Sequence, residues 1–345
     1  MTTQSHLVFC LKLNDHKRLS AKGEKMPVSS EEVIWAYRYV LGREPESSAA
    51  IDCHLGAADY HALREAMMNS AEFQSNQKML NEDHLTMSAT VPFDAPALEI
   101  ETYVTDDQLR EMWAKTCGSW ESLGKKGAHH SVLTSQLFMP DAFHENETEF
   151  WASGVAESQH LVAHLKRLGI TDLETGTCVE YGCGVGRLSG PLSGIFSDVY
   201  ALDISQPHLD LAAERTQSLG VQNVTFLNVG TLPQSLIPPC DFFFSRIVLQ
   251  HNPPPVIAKI ITSALQALRP GGVAYFQVPV YRVEYGFDAD EYLAIEGEHE
   301  MEMHCIPQSI VFEIVQKSNC AMVDLREDND TGRNDIFTSN TFVIR

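Results

Sequence analysis

Two kinds of hydrophobic periodicity divide the chain near position 170. Before it, apolar residues recur at helical spacing; beyond it, short apolar runs alternate with helical stretches. Val33, Ile34, Tyr37, Val40 and Leu41 follow Ser29-Ser30-Glu31-Glu32, a cap-type start with early acids, and Gly42 reads as the stop. Further helical stretches cover 47–54 and 60–69. The expected organisation is a flexible leader over 1–27, a small all-α module over 28–80 and a linker over 81–103. That linker holds Thr86, Ser88, Thr90, Pro92 and Pro96 with little periodicity. Residues 104–170 are helical again, with an expected interruption at 118–127.

From 171 to 345 the pattern predicts strands at 177–181, 199–202, 224–227, 241–245, 272–278, 321–327 and 338–344. Helices are expected from near Val185, at 207–219, 254–268 and 307–318. Strands alternating with helices imply an α/β domain with a largely parallel sheet covered on both faces. Only the polar turn 328–334 separates the last two strands, so they should close the sheet as an antiparallel hairpin. The fold class expected is therefore a Rossmann-like, seven-stranded, mostly parallel sheet with a C-terminal antiparallel hairpin, preceded by a small all-α domain.

Composition narrows the partners. With 44% hydrophobic and 21% charged residues the chain reads as an ordinary globular protein, with no apolar run of membrane-spanning length and no signal peptide. A net charge of -21 repels phosphate backbones and anionic lipid, which excludes a nucleic-acid substrate as the first expectation. The eight cysteines form no CxxC pair, so they read as reduced thiols of a cytoplasmic protein, with no metal site.

The strongest chemical signal is Cys178-Val179-Glu180-Tyr181-Gly182-Cys183-Gly184-Val185-Gly186-Arg187. A strand ends in an acid, and alternating glycines let the backbone approach a ligand. The exposed amides of such a turn, and the helix N-terminus behind it, would attract a carboxylate or a phosphate. The glycines nearly fit the dinucleotide fingerprint as well. Glu180 separates the two readings: a carboxylate opposes a pyrophosphate but suits an amino group. Asp203 ends the second strand, where an acid accepts hydrogen bonds from ribose hydroxyls. The strand 241–245 runs into Arg246-Ile247-Val248-Leu249-Gln250-His251-Asn252-Pro253, and Pro270-Gly271-Gly272 stops the helix before strand five.

Together these segments resemble the class I S-adenosylmethionine-dependent methyltransferases. The resemblance implies that Gly182, Cys183, Gly184 and Gly186 lie under the methionyl part of the cofactor S-adenosyl-L-methionine, with Glu180 near its amino group. Asp203 and Ile204 would hold the ribose, and the turn Asn228-Val229-Gly230-Thr231 would flank the adenine. Many members carry an acid where this chain has Asn228 or Gly230. Ser245 and Arg246 would line the floor between cofactor and acceptor. Upstream, His130-Ser131-Val132-Leu133-Thr134, Phe138, Pro140 and Phe150-Trp151-Ala152-Ser153-Gly154 look like the N-terminal lid of bacterial members, which makes Trp120 and Trp151 candidates to close over the methionine end.

The first module has a resemblance of its own. Ala36-Tyr37-Arg38-Tyr39-Val40-Leu41-Gly42-Arg43-Glu44-Pro45 and Asn69-Ser70-Ala71-Glu72-Phe73 are similar to the phycobilisome-linker-like helical module. In bacteria that module accompanies enzymes of surface polysaccharide metabolism. It implies a piece that docks another protein, and by association a small-molecule or glycan acceptor that is O-methylated. His251 is the candidate general base, because it follows strand four, where the sheet edge faces the ligand crevice. His304 is the second, from the 281–304 connection that also holds Glu284, Tyr285, Glu298, His299, Glu300 and Glu302. Two alternatives stand beside this reading: a non-catalytic nucleoside-binding scaffold of the same fold, and an NAD-dependent oxidoreductase.

Overall fold

The computed structural model describes residues 28–41, 43–73, 91, 94–171, 176–230, 237–297 and 301–345. The leader 1–27, Gly42, positions 81–90, Thr231 and the stretch 298–300 lie outside them. The chain divides into two compact units, Met1–Ala89 and Thr90–Arg345.

The first unit is helical. Helix α1 (Ser30–Ala36) starts at Ser29, whose hydroxyl accepts from the Glu32 amide while the Glu32 carboxylate accepts from the Ser29 amide. It widens into a π-helical turn over Tyr37–Leu41, and α2 (Ser48–Asp52) and α3 (Tyr60–Met68) follow. Val28, Val33, Ala36, Tyr37, Leu63 and Met67 close a small core.

The second unit begins with two long helices, α4 (Asp106–Val132) and α5 (Phe143–Arg167). The interruption expected at 118–127 contracts to one residue: Gly118 and Gly124 are helical, and only Gly127 leaves helical geometry (φ -177°, ψ 72°). Glycine weakens a helix without having to break it, and packing decides the outcome. At Gly124 that packing is close, because an added Cβ would meet the Ser205 hydroxyl oxygen at 2.6 Å and His208 at 2.7 Å.

Seven strands then build one sheet: β1 (Thr177–Tyr181), β2 (Asp198–Asp203), β3 (Val224–Asn228), β4 (Cys240–Ser245), β5 (Leu268–Arg282), β6 (Met322–Asp328) and β7 (Phe337–Ile344). Their order is β3-β2-β1-β4-β5-β7-β6, with β1 to β5 parallel and β7 antiparallel to both β5 and β6. The antiparallel closing pair is the one the short polar turn predicted. Between them run α6 (Ser189–Ser193), α7 (Gln206–Ser218), α8 (Pro254–Ala267), the short α9 (Ala289–Ala294) and α10 (Gln308–Lys317).

Period-two alternation sorts the strand side chains between two cores. Val179, Tyr181 and Phe243 pack with Met112, Ile257, Ile260 and Phe276 on one face. Cys178, Phe242 and Phe244 pack with Leu161, Leu165, Leu192 and Phe196 on the other. Truncating a phenylalanine as buried as Phe242 or Phe243 costs about 3–5 kcal/mol, which fixes the register of the central strands. Strand order reverses between β1 and β4, and that reversal opens the crevice in which α/β sheets bind ligands.

Two element boundaries differ from the sequence pattern. The helix expected from near Val185 starts at Ser189, because Gly186 is left-handed (φ +78°) and cannot continue a right-handed helix. Strand β5 starts at Leu268, before Pro270-Gly271-Gly272, where Leu268 pairs with Cys240 across a register shift, and it runs on to Arg282 because β7 pairs along it.

Helix α5 reaches the β1 turn through Gly154, where a Cβ would stand 2.2 Å from the Arg187 carbonyl oxygen. Gly154→Ala is therefore expected to destabilise the protein by about 1–3 kcal/mol. Gly118→Ala, with nothing within 4 Å of its added Cβ, should stabilise it by about 0.5–1 kcal/mol. Urea denaturation of the two variants checks both signs.

Candidate functional site

The glycine turn after β1 is tied to β2. The amides of Gly182 and Cys183 both donate to the Leu202 carbonyl, at 2.7 and 3.0 Å, and the Gly184 amide donates to Asp203 Oδ2 at 2.8 Å. Gly186 N donates to the Cys183 carbonyl at 3.0 Å. Gly182, Gly184 and Gly186 all have positive φ, and a Cβ on Gly182 would stand 2.4 Å from Val248. These bonds revise the expectation that the turn offers its amides to an anion. The four are already spent within the protein, and α6, of five residues and starting only at Ser189, adds no long helix dipole. Those four donors are taken up by the fold, so they are not the ones that would hold a phosphate.

A cavity open on one side lies over this turn. Asp203 stands in its wall with Oδ1 accepting from the Ser205 amide at 2.9 Å, so backbone donors hold both carboxylate oxygens in place. Glu180 is 3% exposed and accepts from the Ser189 hydroxyl at 2.5 Å. Burial pushes its carboxyl up to about 8, against the opposing pull of the Ser189 hydrogen bond and Arg187. At pH 7 this buried acid keeps its proton. Arg187 also lines the cavity: it pairs with Glu157 at 2.7 Å, and its buried Nε has no hydrogen-bond partner among the described residues.

The ion pairs continue along the wall. Glu157 on α5 also pairs with Arg246 at 2.7 Å, and Arg246 grips Asp330 through Nε and Nη2 at 2.8 and 2.7 Å. Next to Arg246, Ile247 is left-handed (φ +56°), which is strained for a β-branched residue. Its amide is held by the side-chain oxygen of buried Gln277 at 2.9 Å.

Helix α4 forms the opposite wall with Trp113, Thr116 and Trp120. Trp120 packs at 5.1 Å, ring to ring, from His251, and at 6.2 Å from His208. His208, buried on α7, bonds Ser131 at 2.8 Å and Ser205 at 2.7 Å, so both ring nitrogens are occupied. His251 bonds the Glu302 carbonyl through Nδ1 at 2.8 Å, which makes Nδ1 the protonated nitrogen and leaves Nε2 bare. Burial pushes its imidazole down to about 4, so the ring is neutral at pH 7.

Of the residues singled out in the sequence, Trp120, Glu180, Gly182, Cys183 and Gly184 line this cavity, as do Asp203, Ile204, Val229, Arg246 and His251. Six do not. Gly186 sits below the turn, where a Cβ would meet Ala212 at 3.0 Å, so it serves helix packing. Ser245 is buried and donates to the Tyr181 carbonyl at 3.0 Å, joining β1 to β4. Asn228 binds its own neighbours, accepting from the Gly230 amide at 2.8 Å and donating to Gln206 at 3.1 Å. Gly230 offers its carbonyl to the Trp113 indole at 3.1 Å. Trp151 donates to Glu147 at 3.0 Å and stacks under Arg215, with its guanidinium carbon 4.4 Å from the ring centroid, outside the cavity. His304 is buried behind His251, between the Tyr285 hydroxyl at 2.8 Å and Glu302 at 3.3 Å.

Sequence reasoning passed over Trp113, Thr116, Tyr181, Arg187 and His208. The first two carried a usable signal, because 113, 116 and 120 fall on one helical face. Tyr181 and Arg187 lay inside the glycine motif itself and were overshadowed by it. Nothing in the local sequence marks His208.

Residues 178–272 match the family described as methyltransferase domain. No curated protein matches the chain. Among solved structures, the chain is similar to a magnesium protoporphyrin IX methyltransferase from Synechocystis with bound S-adenosylmethionine, at 18% identity and TM-score 0.39 over 55% of this chain and 78% of that one. It is similar to an S-adenosylmethionine-dependent methyltransferase from Leishmania major at 16% identity and TM-score 0.46, over 70% and 87% of the two chains. It is also similar to the N-methyltransferase NodS from Bradyrhizobium japonicum at 14% identity and TM-score 0.41, over 63% and 98%. The segment that matches the methyltransferase domain, 178–272, carries the glycine turn, Asp203 and the strands from β1 to β4 of a Rossmann-like sheet.

Proposed function

We propose that the chain is an S-adenosylmethionine-dependent methyltransferase whose acceptor is a hydroxyl of a small molecule or glycan. The observation that carries the reading is the pairing of two acids over a turn whose amides are already bonded. Glu180 and Asp203 suit an ammonium and a ribose, while the spent amides leave little to hold a pyrophosphate. The antiparallel β7 between β5 and β6 also departs from the all-parallel dinucleotide-binding sheet.

The cavity fits the cofactor by its own chemistry. Asp203, fixed by two backbone amides, has lone pairs left for ribose hydroxyls, and Glu180 would take the amino group. The unpartnered Nε of Arg187 is a donor placed for a carboxylate. When bound, the cofactor supplies a methyl carbon activated by its positively charged sulfur. The chain's task is then to align an acceptor behind that carbon and keep water out, which is where Trp120, Val132 and Val248 stand. His251 is the group to take the acceptor's proton, since its Nδ1–H is anchored on the Glu302 carbonyl and Nε2 is unprotonated. His304 bonds the Glu302 carboxylate and positions this pair without reaching the cavity. The helical unit of residues 28–73 reads as a docking piece for another protein.

Calorimetry with S-adenosylmethionine, S-adenosylhomocysteine and NADH tests the reading. Both sulfur nucleosides should bind and NADH should not, and Asp203→Ala should weaken binding at least about tenfold, the loss of hydrogen bonds to a charged group. NADH binding in place of the sulfur nucleosides would reject the proposal. Binding without turnover on any hydroxyl, amine or carboxylate acceptor would favour the scaffold.

Two further outcomes follow from the histidine and the buried acid. His251→Ala should lower turnover on a hydroxyl acceptor by about 10²–10⁴-fold while leaving S-adenosylhomocysteine affinity near wild type. Because the Glu180 carboxyl titrates near 8 in the free protein, accepting an ammonium requires it to ionise and release a proton. Affinity should therefore rise as pH rises from 6 to 8. Calorimetry in buffers of different ionisation enthalpy should register that proton, and Glu180→Gln should bind more weakly and lose the slope.

A further inference from the structure

Tyr181 and Glu180 are consecutive, and alternation sends them to opposite faces of the sheet. Glu180 meets Ser189, whereas Tyr181 packs in the core that includes Trp113, Leu202, Val229 and Phe243. Tyr181 lines the cavity, is 3% exposed, and its hydroxyl has no hydrogen-bond partner among the described residues. A buried hydroxyl left unpaired costs free energy comparable to a lost hydrogen bond, so its persistence calls for a partner from outside the chain.

The surroundings say which part of a ligand that is. Burial above all, with Cys117 and Asp203 after it, raises the phenol and keeps it protonated, hence a donor. Cys117 lies against the Gly230 carbonyl at 3.5 Å, the same carbonyl that holds the Trp113 indole at 3.1 Å. Tyr181 lines the same cavity as Asp203, the acid suited to a ribose, and as the apolar Trp113, Ile204 and Val229. Asn228, the polar side chain nearest that pocket in sequence, is engaged with Gly230 and Gln206.

Resting on the cofactor reading above, we propose that the Tyr181 hydroxyl donates a hydrogen bond to the adenosine of the bound cofactor and sets affinity for the nucleoside end. The residue positions the ligand and takes no part in methyl transfer.

The test compares wild type with Tyr181→Phe by calorimetry against S-adenosylhomocysteine and 5′-methylthioadenosine, which keeps the nucleoside and lacks the amino-acid tail. The variant should bind both about three- to tenfold more weakly, by the same factor for each. Its Tm without ligand should equal or exceed that of wild type, because the removed hydroxyl had no partner to lose. Unchanged affinities would overturn the proposal. So would a loss confined to S-adenosylhomocysteine, which would move the contact to the tail, or a lower Tm, which would mean an internal partner. Wild type binding neither ligand would instead sink the cofactor reading itself, and the inference with it. Glu180→Gln is the counterpart, expected to weaken S-adenosylhomocysteine and spare 5′-methylthioadenosine.

Discussion

The site hangs from two consecutive residues at the end of β2. The Leu202 carbonyl accepts two amides of the glycine turn, and the Asp203 carboxylate accepts a third while its other oxygen holds Ser205. A turn with three left-handed glycines has many conformations open to it when free. These bonds select one, and each backbone donor so used is one that burial would otherwise leave unpaired. The same carboxylate then serves as scaffold and as cavity wall. Position and chemistry are set by a single side chain.

That arrangement shows what the sequence could and could not disclose. Strands such as 177–181 were legible to the residue, because apolar runs bounded by turn signals reflect local constraint. Asp203 was legible because it falls at a strand end in a recognisable order. The start of α6 was not: helical pattern reaches back to Val185, but the left-handed Gly186 overrides it. Nor could sequence tell that the amides of Gly182, Cys183 and Gly184 were spent, since their acceptors, Leu202 and Asp203, lie on another strand. Trp151 and Trp120 looked alike as aromatic lid candidates. Glu147, one turn earlier on α5, and Arg215, brought up by tertiary packing, hold Trp151 away from the cavity. Ser245 and His304 were chosen for their place near a strand end or in a polar loop, and both are consumed by neighbours that only the fold supplies.

Charge tells a similar story at two scales. The whole chain is strongly acidic, yet the two arginines of the cavity wall are locally balanced from behind: Arg187, Glu157, Arg246 and Asp330 alternate in sign. Buried pairs of this kind contribute little net stability, because desolvation offsets attraction, but losing one member exposes the others to the full penalty. Their value lies in fixing orientation. Four separate elements, namely the glycine turn, α5, the end of β4 and the turn between β6 and β7, are held in one geometry.

The last member of that series has a consequence for how the domain can diverge. Asp330 lies well outside the segment 178–272, in a hairpin turn that looks like mere surface connection. Its carboxylate is nonetheless the counter-ion of an arginine in the cavity wall. Sequence drift in that turn is therefore not neutral bookkeeping at the periphery. It reaches the cavity wall electrostatically, through Arg246, so the charge balance there can change from the hairpin while the glycine turn stays as it is.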